Sequence, residues 1–301
     1  MSNHLDTLIT AEADRDTFAA AKAFAAHLVD HYGRSSAGVI FYGSCLRQKT
    51  DMGLLLDFYV LVDRYAEALR SFTSAAFARL LPPNVYYHEM DFEGRKLRAK
   101  VALISVEQFV HGVGPDSFAS SLWARFAQPA AIVYARNPEV RRRLTDGLAS
   151  AVRTTMMNVQ PLMSGAYTAR DLWVRAFAET YRAELRPEKE TKCIELVDAD
   201  LARYEAITGA ALGAAPYQPG TADDLQRAAT AWRLRRIQGK TLNVLRLIKA
   251  AFTFQGGLDY ATWKIERHSG VKIELTEAER KRPLRTGARL LLKTVRRGGL
   301  R

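Results

Sequence analysis

The residues from Leu54 to Val62 read Leu-Leu-Leu-Asp-Phe-Tyr-Val-Leu-Val. A run this apolar, rich in aromatic and β-branched residues, suits a strand covered on both faces rather than one with a wet side. The strand therefore belongs inside a sheet with helices on either side. Asp57 is the exception within it, and a carboxylate there is costly to bury unless it is paired or holds a metal. Just upstream, Val39 to Tyr42 forms a second short β-rich run that ends in the turn pair Gly43-Ser44. The rest of the chain is arranged around these two strands and the turn beside them.

A Gly-Ser turn can present backbone N–H groups and a hydroxyl to a triphosphate. An aspartate on the next strand can hold Mg²⁺ against the same phosphates. The nucleotidyltransferase fold uses that pairing, so Asp57 is the first candidate metal ligand and Gly43 and Ser44 are the candidate phosphate cradle. The same residues also suit an ordinary tight turn and an aspartate satisfied by backbone N–H groups. Asp63 lies six residues on and, in a regular strand, about 20 Å away. It reads as a strand-end or helix-cap residue, with a role in the site only if the strand breaks. A second metal ligand is expected from a neighbouring strand, where Glu89 and Asp91 share a face; a solvated hairpin end fits them equally. His88, beside them, is a candidate ligand contact or a structural histidine.

Lys100 borders the apolar run Val101-Ala102-Leu103-Ile104. It either neutralises phosphate charge or snorkels to water. Arg246 and Lys249 share a helix face at i and i+3, placed to bind nucleotide or a phosphate headgroup, or simply to face water. Arg47 after the turn offers a further phosphate contact or a solvated cation. Cys45 reads as a small loop residue, because the sequence places no activating histidine beside it.

Helical spacing marks about 14 to 32, and 65 to 81 as one helix ended by Pro82-Pro83. Val85 to Met90 and Leu97 to Ser105 read as a hairpin about Phe92-Glu93-Gly94-Arg95. Short helices are expected at Val106 to His111 and Ser120 to Ala127, a short strand at Ala130 to Tyr134, and a helix from Pro138 past Leu148. From Leu162 to Ile207 the pattern is helical, and Thr208 to Asp223 reads as a linker. Leu225 to Ile237, Thr241 to Phe252 and Leu258 to His268 are expected as three separate helices. The domains expected are 1–155, 156–224 and a basic region 225–301.

Charge singles out that last region. Of the 44 Lys/Arg, 18 lie between Arg233 and Arg301, with only 5 of the 32 Asp/Glu, while the remainder is close to neutral. The excess favours an anionic partner: a phospholipid surface, a nucleic acid or substrate phosphates. From Leu284 to Val295 an apolar stripe is ringed by Arg and Lys, the pattern of an interfacial helix. No stretch approaches 18 apolar residues, so no transmembrane segment is expected. The two cysteines, Cys45 and Cys193, form no zinc or disulfide pattern, and the polar N-terminus resembles neither a signal nor a transit peptide. A cytoplasmic protein is expected.

Four separated pieces resemble one family. They are Phe41-Tyr42-Gly43-Ser44 with Gln48; Leu56-Asp57-Phe58 with Val62-Asp63; Val85-Tyr86-Tyr87 with Gly94-Arg95 and Lys100 to Ser105; and Val244-Leu245-Arg246 with Lys249, Phe252-Thr253, Gly256-Gly257, Tyr260-Ala261 and Lys264. In order and rough spacing they are similar to the mitochondrial translocator assembly and maintenance family of peripheral phosphatidate cytidylyltransferases. The resemblance implies an α+β nucleotidyltransferase domain with a mixed sheet, then a helical, winged-helix-like domain, then a helical segment returning to the active site. It implies Mg²⁺-dependent formation of CDP-diacylglycerol and pyrophosphate from CTP and phosphatidic acid. Asp57 and Lys100 would then be catalytic, and Gly43, Ser44, Gln48, Arg246 and Lys249 would bind nucleotide. Without a mitochondrial presequence, the expectation is a bacterial relative on the inner face of an anionic membrane. The sequence departs from the family at Cys45, Leu46 and Arg47, and Tyr59 stands where the broader nucleotidyltransferase pattern wants a second acid. Two rivals follow: the same fold acting on another phosphorylated acceptor, and a nucleic-acid-binding module. Few aromatics interleave with the basic residues (Phe252, Phe254, Tyr260, Trp263), which disfavours single-strand stacking.

Overall fold

Asp57's strand lies at the centre of a five-stranded mixed sheet. The computed structural model describes residues 2–51, 54–69, 72–184 and 190–253. In chain order its elements begin with helices α1 (Ser2–Ala13) and α2 (Ala19–Tyr32) and strand β1 (Ser36–Tyr42). Short helix α3 (Ser44–Gln48), strand β2 (Leu56–Val62), and helices α4 (Tyr65–Ala68) and α5 (Phe72–Leu80) follow. Next come β3 (Asn84–Phe92), β4 (Arg95–Ser105), α6 (Val106–Val113), α7 (Ser120–Phe126) and β5 (Ala130–Ala135). The remainder is helical: α8 (Pro138–Val159), α9 (Ala169–Ala183), α10 (Glu190–Asp198), α11 (Leu201–Leu212) and α12 (Ala222–Thr253). The fold is α+β. β2 runs parallel to β4, and the β1–β2, β1–β5 and β3–β4 pairs are antiparallel.

The alternation of side chains along β2 divides the molecule. Phe58, Val60 and Val62 face α2, where Phe24 stacks on Phe58 at 5.7 Å. Tyr59 and Leu61 face the other way, into a core shared with Phe109, Trp123, Phe126 and Leu148. Both faces are dry, as expected for a central strand with a parallel neighbour. The second core continues through α8 to Leu172, Trp173, Phe177, Tyr204 and Trp232. The boundaries expected at 155/156 and 224/225 fall within α8 and α12.

Helix starts follow their side chains. Asn137 accepts from Val140 N–H at 2.9 Å ahead of Pro138, and Thr168 with Asp171 forms a capping box on α9. Several expectations are corrected. The helix expected over 65–81 is two helices, α4 and α5. The helix expected from about 14 begins at Ala19, and the polar N-terminus preceding it is itself helical. Leu5, Ile9 and Ala13, at i, i+4 and i+8, bury a face one residue wide, too narrow a stripe to stand out in sequence. The two helices expected at 225–237 and 241–252 are one. Gly239 does not break α12; a Cβ there would lie 2.2 Å from the Ala183 carbonyl oxygen, so its absence lets α12 lie on the end of α9. Buried Glu179 of α9 joins the same contact, ion-paired with Arg175, Arg182 and, from α12, Arg236. No helix among the described residues is long and apolar enough to cross a membrane. The helices expected at 258–268 and from Leu284 lie outside the described residues.

Candidate active site

Tyr42, Asp57, Lys100 and Tyr87 occupy one register line across β1, β2, β4 and β3. Asp57 is thus flanked by Tyr42 on one side and Lys100 on the other. The Lys100 Nζ lies 3.9 Å from Asp57 Oδ1, and both side chains are partly exposed, at 31% and 24%. Gly43 closes the third side. Its backbone takes φ 90° and ψ −161°, a conformation suited to glycine, and a Cβ there would come within 2.8 Å of Asp57 Oδ2. The carboxylate therefore rests against the bare backbone of the Gly-Ser turn.

These groups form the floor of a cleft of about 340 Å³. Ser44 and Arg47 of α3 lie at one margin, and Arg125 of α7 with Gln128 and Pro129 at another. Thr180, Tyr181 and Glu184 at the end of α9, with Lys192 and Leu196 of α10, make the far wall. The Arg125 guanidinium stands 5.5 Å over the Tyr42 ring. Burial alone would lower its pKa, but the neighbouring Tyr42, Tyr59, Glu184 and Asp57 outweigh that and raise it. Cys45 is buried, donates to the Leu55 carbonyl at 3.2 Å, and its thiol is pushed up to about 12 by burial and by Asp57 and Asp51. A thiol held protonated in this way is a poor nucleophile.

Of the residues singled out in the sequence, Gly43, Ser44, Asp57, Lys100 and Arg47 meet in this cleft. The others lie elsewhere. Gln48 is exposed at the end of α3. Glu89 sits on Asp57's face of the sheet but two strands over and two residues along, about 12 Å away by strand spacing and rise. It accepts from Tyr87 Oη at 2.6 Å and pairs with Arg98 at 3.1 Å and Lys96 at 3.3 Å. Burial would raise its pKa, but these partners hold it below the usual carboxylate value. Asp91 is exposed, opposite Lys96, still farther along. The metal set Asp57, Glu89 and Asp91 is therefore not brought together, because two strands and two residues of separation outrun any coordination distance. Among the described residues no group of three or more His, Cys, Asp or Glu could hold a metal ion.

Asp63 lies at the opposite end of β2, where Arg136 grips it at 2.5 and 3.1 Å. His88 is on the opposite face, edge-on to His31 at 4.9 Å, and its pKa falls to about 4 through burial and the neighbouring His31 and His27. Arg246 donates to the Pro82 carbonyl at 3.0 Å and to Ser121 Oγ at 3.4 Å. Lys249 donates to the carbonyls of Leu81 and Pro83, the latter at 2.8 Å; burial and the nearby Arg246 bring it down to about 8. Both brace the loop after α5 rather than line the cleft. Arg125, Tyr181, Glu184 and Lys192 were not legible as site residues, since a polar residue on an amphipathic helix gives no sign of which cleft it borders.

No family model matches the sequence. No curated protein matches it. Among solved structures, the chain is similar to a nucleotidyltransferase-like protein from Exiguobacterium sibiricum 255-15, at 12% identity over 92% of each chain with a TM-score of 0.28. An overlap that loose carries no argument about this chain.

Proposed function

We propose that this protein is a nucleotidyltransferase that uses the cleft over Asp57, and that its reaction is the one the family resemblance implies: CTP and phosphatidic acid giving CDP-diacylglycerol and pyrophosphate. One observation carries the reading: a carboxylate seated against a Gly-Ser turn, with a lysine in register beside it, on the floor of a cleft margined by further cations. That is the chemistry a metal-bound triphosphate requires. Asp57 offers a hard oxygen donor that faces the cleft. Mg²⁺ is commonly held by one or two carboxylates together with substrate phosphates rather than in an all-protein cage, so a single facing aspartate fits a metal that arrives with the nucleotide. When bound, the metal would supply charge neutralisation and a template for the phosphates.

The chain's own residues do the rest. Lys100 neutralises phosphate charge beside Asp57. Ser44 orients the phosphates at the turn. The far wall of α9 and α10 supplies Tyr181 and Lys192 to position the acceptor. A phosphate oxygen of phosphatidate attacks the α-phosphorus in line; the bond from that phosphorus to the bridging oxygen breaks, and its electron pair leaves with pyrophosphate. The attacking oxygen is already anionic near neutral pH, so no strong base is needed, and positioning and charge carry the step.

The test is full-length protein with Mg²⁺, labelled CTP and phosphatidate vesicles, run beside other phosphorylated acceptors, RNA and no acceptor. Labelled CDP-diacylglycerol with equimolar pyrophosphate is expected, lost in Asp57→Asn protein that keeps its circular dichroism. Transfer to another phosphorylated acceptor alone would retain the class and replace the substrate. Absence of pyrophosphate release from any triphosphate with every acceptor would overturn the reading.

A further inference from the structure

Among the described residues, four little-exposed cations have conventional partners. Arg203 grips the Glu12 carboxylate and the Ala127 carbonyl. Arg235 donates to the Phe118 carbonyl and to Asn158. Arg246 and Lys249 are satisfied by Ser121 and the carbonyls of the loop after α5. Arg125 is held as firmly, on a helix whose Leu122, Trp123, Ala124 and Phe126 are buried. Yet its guanidinium, partly exposed at the margin of the cleft, makes no hydrogen bond or ion pair among the described residues; it covers the Tyr42 ring and feels the attraction of Glu184 and Asp57. A guanidinium carries five donors, and one at the margin of a cleft offers them to an anion bound there. Arg246 is close enough for the like charges to oppose each other, while Glu184 attracts both.

Its position states which anion. Tyr42, under Arg125, is the register partner of Asp57, and Lys100 is the partner on the other side. Adjacent strands are about 4.8 Å apart, so the backbones of Tyr42 and Lys100 stand roughly 10 Å apart on either side of Asp57, with the Arg125 guanidinium over the first and the Lys100 ammonium at the second. An anion with several phosphates can meet cations on both sides of the carboxylate, where a single carboxylate has oxygens for one. We propose that Arg125 is the residue that grips the oligophosphate in this cleft, donating to non-bridging oxygens of the bound triphosphate and of the pyrophosphate as it leaves. This assignment rests on the nucleotidyl-transfer reading above and deepens it.

The experiment measures binding apart from turnover. Inorganic pyrophosphate and CTP are titrated calorimetrically, at fixed ionic strength, into full-length wild type, Arg125→Met, Arg125→Lys and the charge control Arg64→Met. Loss of a charge-assisted, forked contact should weaken pyrophosphate roughly ten- to a hundredfold in Arg125→Met. Arg125→Lys should recover part of that, since a point charge replaces a planar fork. Arg64→Met, far from the cleft on an exposed turn, should change affinity by less than about twofold. The ligand-free thermal midpoint of Arg125→Met should fall only modestly and recover in Arg125→Lys, because Glu184 and Asp57 favour a positive charge at this place. Equal pyrophosphate affinity in wild type and Arg125→Met, or no pyrophosphate binding by wild type, overturns the proposal. So does a lowered ligand-free midpoint that Lys fails to restore, which marks a structural role. Pyrophosphate held through Arg125 without nucleotidyl transfer to any acceptor would overturn the reaction and leave this site standing. Full turnover in Arg125→Met would do the reverse.

Discussion

Gly43→Ala tests the junction between the turn and Asp57. At φ 90° and ψ −161° residue 43 occupies a region that is essentially reserved for glycine. Forcing alanine to stay there costs about 1–3 kcal/mol. The new Cβ would also lie 2.8 Å from Asp57 Oδ2 and 3.3 Å from Asp57 Cβ. The oxygen can rotate away, but the Cβ is fixed to β2 and cannot. Stability should therefore fall by about 2–3 kcal/mol, with the carboxylate turned from its seat. A displacement near 1 Å at a reacting centre can cost about a hundredfold in rate, and pyrophosphate release should fall by that order. Gly209→Ala is the internal control: it is helical with nothing within 4 Å of the added carbon, and should gain up to about 1 kcal/mol. Urea unfolding gives the stabilities. A double-mutant cycle with Asp57→Ala then separates backbone strain from the contact, since removing the carboxylate should relieve about 1 kcal/mol of the alanine's cost. If Gly43→Ala stays within about 0.5 kcal/mol of wild type and keeps its rate, the turn does not position the carboxylate.

Glu179 is fully buried among Arg175, Arg182 and Arg236. Glu179→Ala should cost about 3 kcal/mol, toward the low end for a broken buried pair because the arginines can turn to water; a change below about 1 kcal/mol in urea unfolding would refute this. His88 titrates near 4 when folded against an ordinary value of 6.5. The unfolded chain then holds the extra proton between those values, so stability should fall as pH drops through 6.5 to 4, by about 3 kcal/mol at the limit. His88→Phe should flatten that segment of the stability–pH curve, and identical slopes would count against it. On the proposed lipid substrate, and from the basic sequence of 283–301 alone, deleting this segment should lower binding to anionic vesicles and raise the apparent KM for vesicle-borne phosphatidate, each Lys or Arg near such a surface contributing about 1 kcal/mol. Equal sedimentation of truncated and full-length protein with these vesicles at low salt would remove the tail as anchor.

The sequence by itself determined the elements whose signal is local. An apolar run with one acid can only be a central strand, Phe92 to Arg95 can only be a tight reversal between two β-rich runs, and Asn137-Pro138 announces a helix. It also determined half of the cleft, because Gly43, Ser44 and Asp57 lie within fifteen residues and Lys100 stands out against its apolar neighbours. Tertiary structure decided what depends on register and packing. Asp57 and Lys100 are partners only because β2 pairs parallel to β4, while the same register carries Glu89 and Asp91 away from the carboxylate. Gly239, between the helices expected at 225–237 and 241–252, is absorbed into one helix because the Ala183 carbonyl needs its space. Arg246 and Lys249, a plausible anion-binding face on an isolated helix, are consumed by carbonyls of a loop more than 160 residues earlier. Arg125, one arginine among many in the sequence, reaches the margin of the cleft only when α7 docks it over Tyr42. Periodicity records which face of an element is dry; what that face meets is set by contacts distant in sequence, where no local pattern reaches.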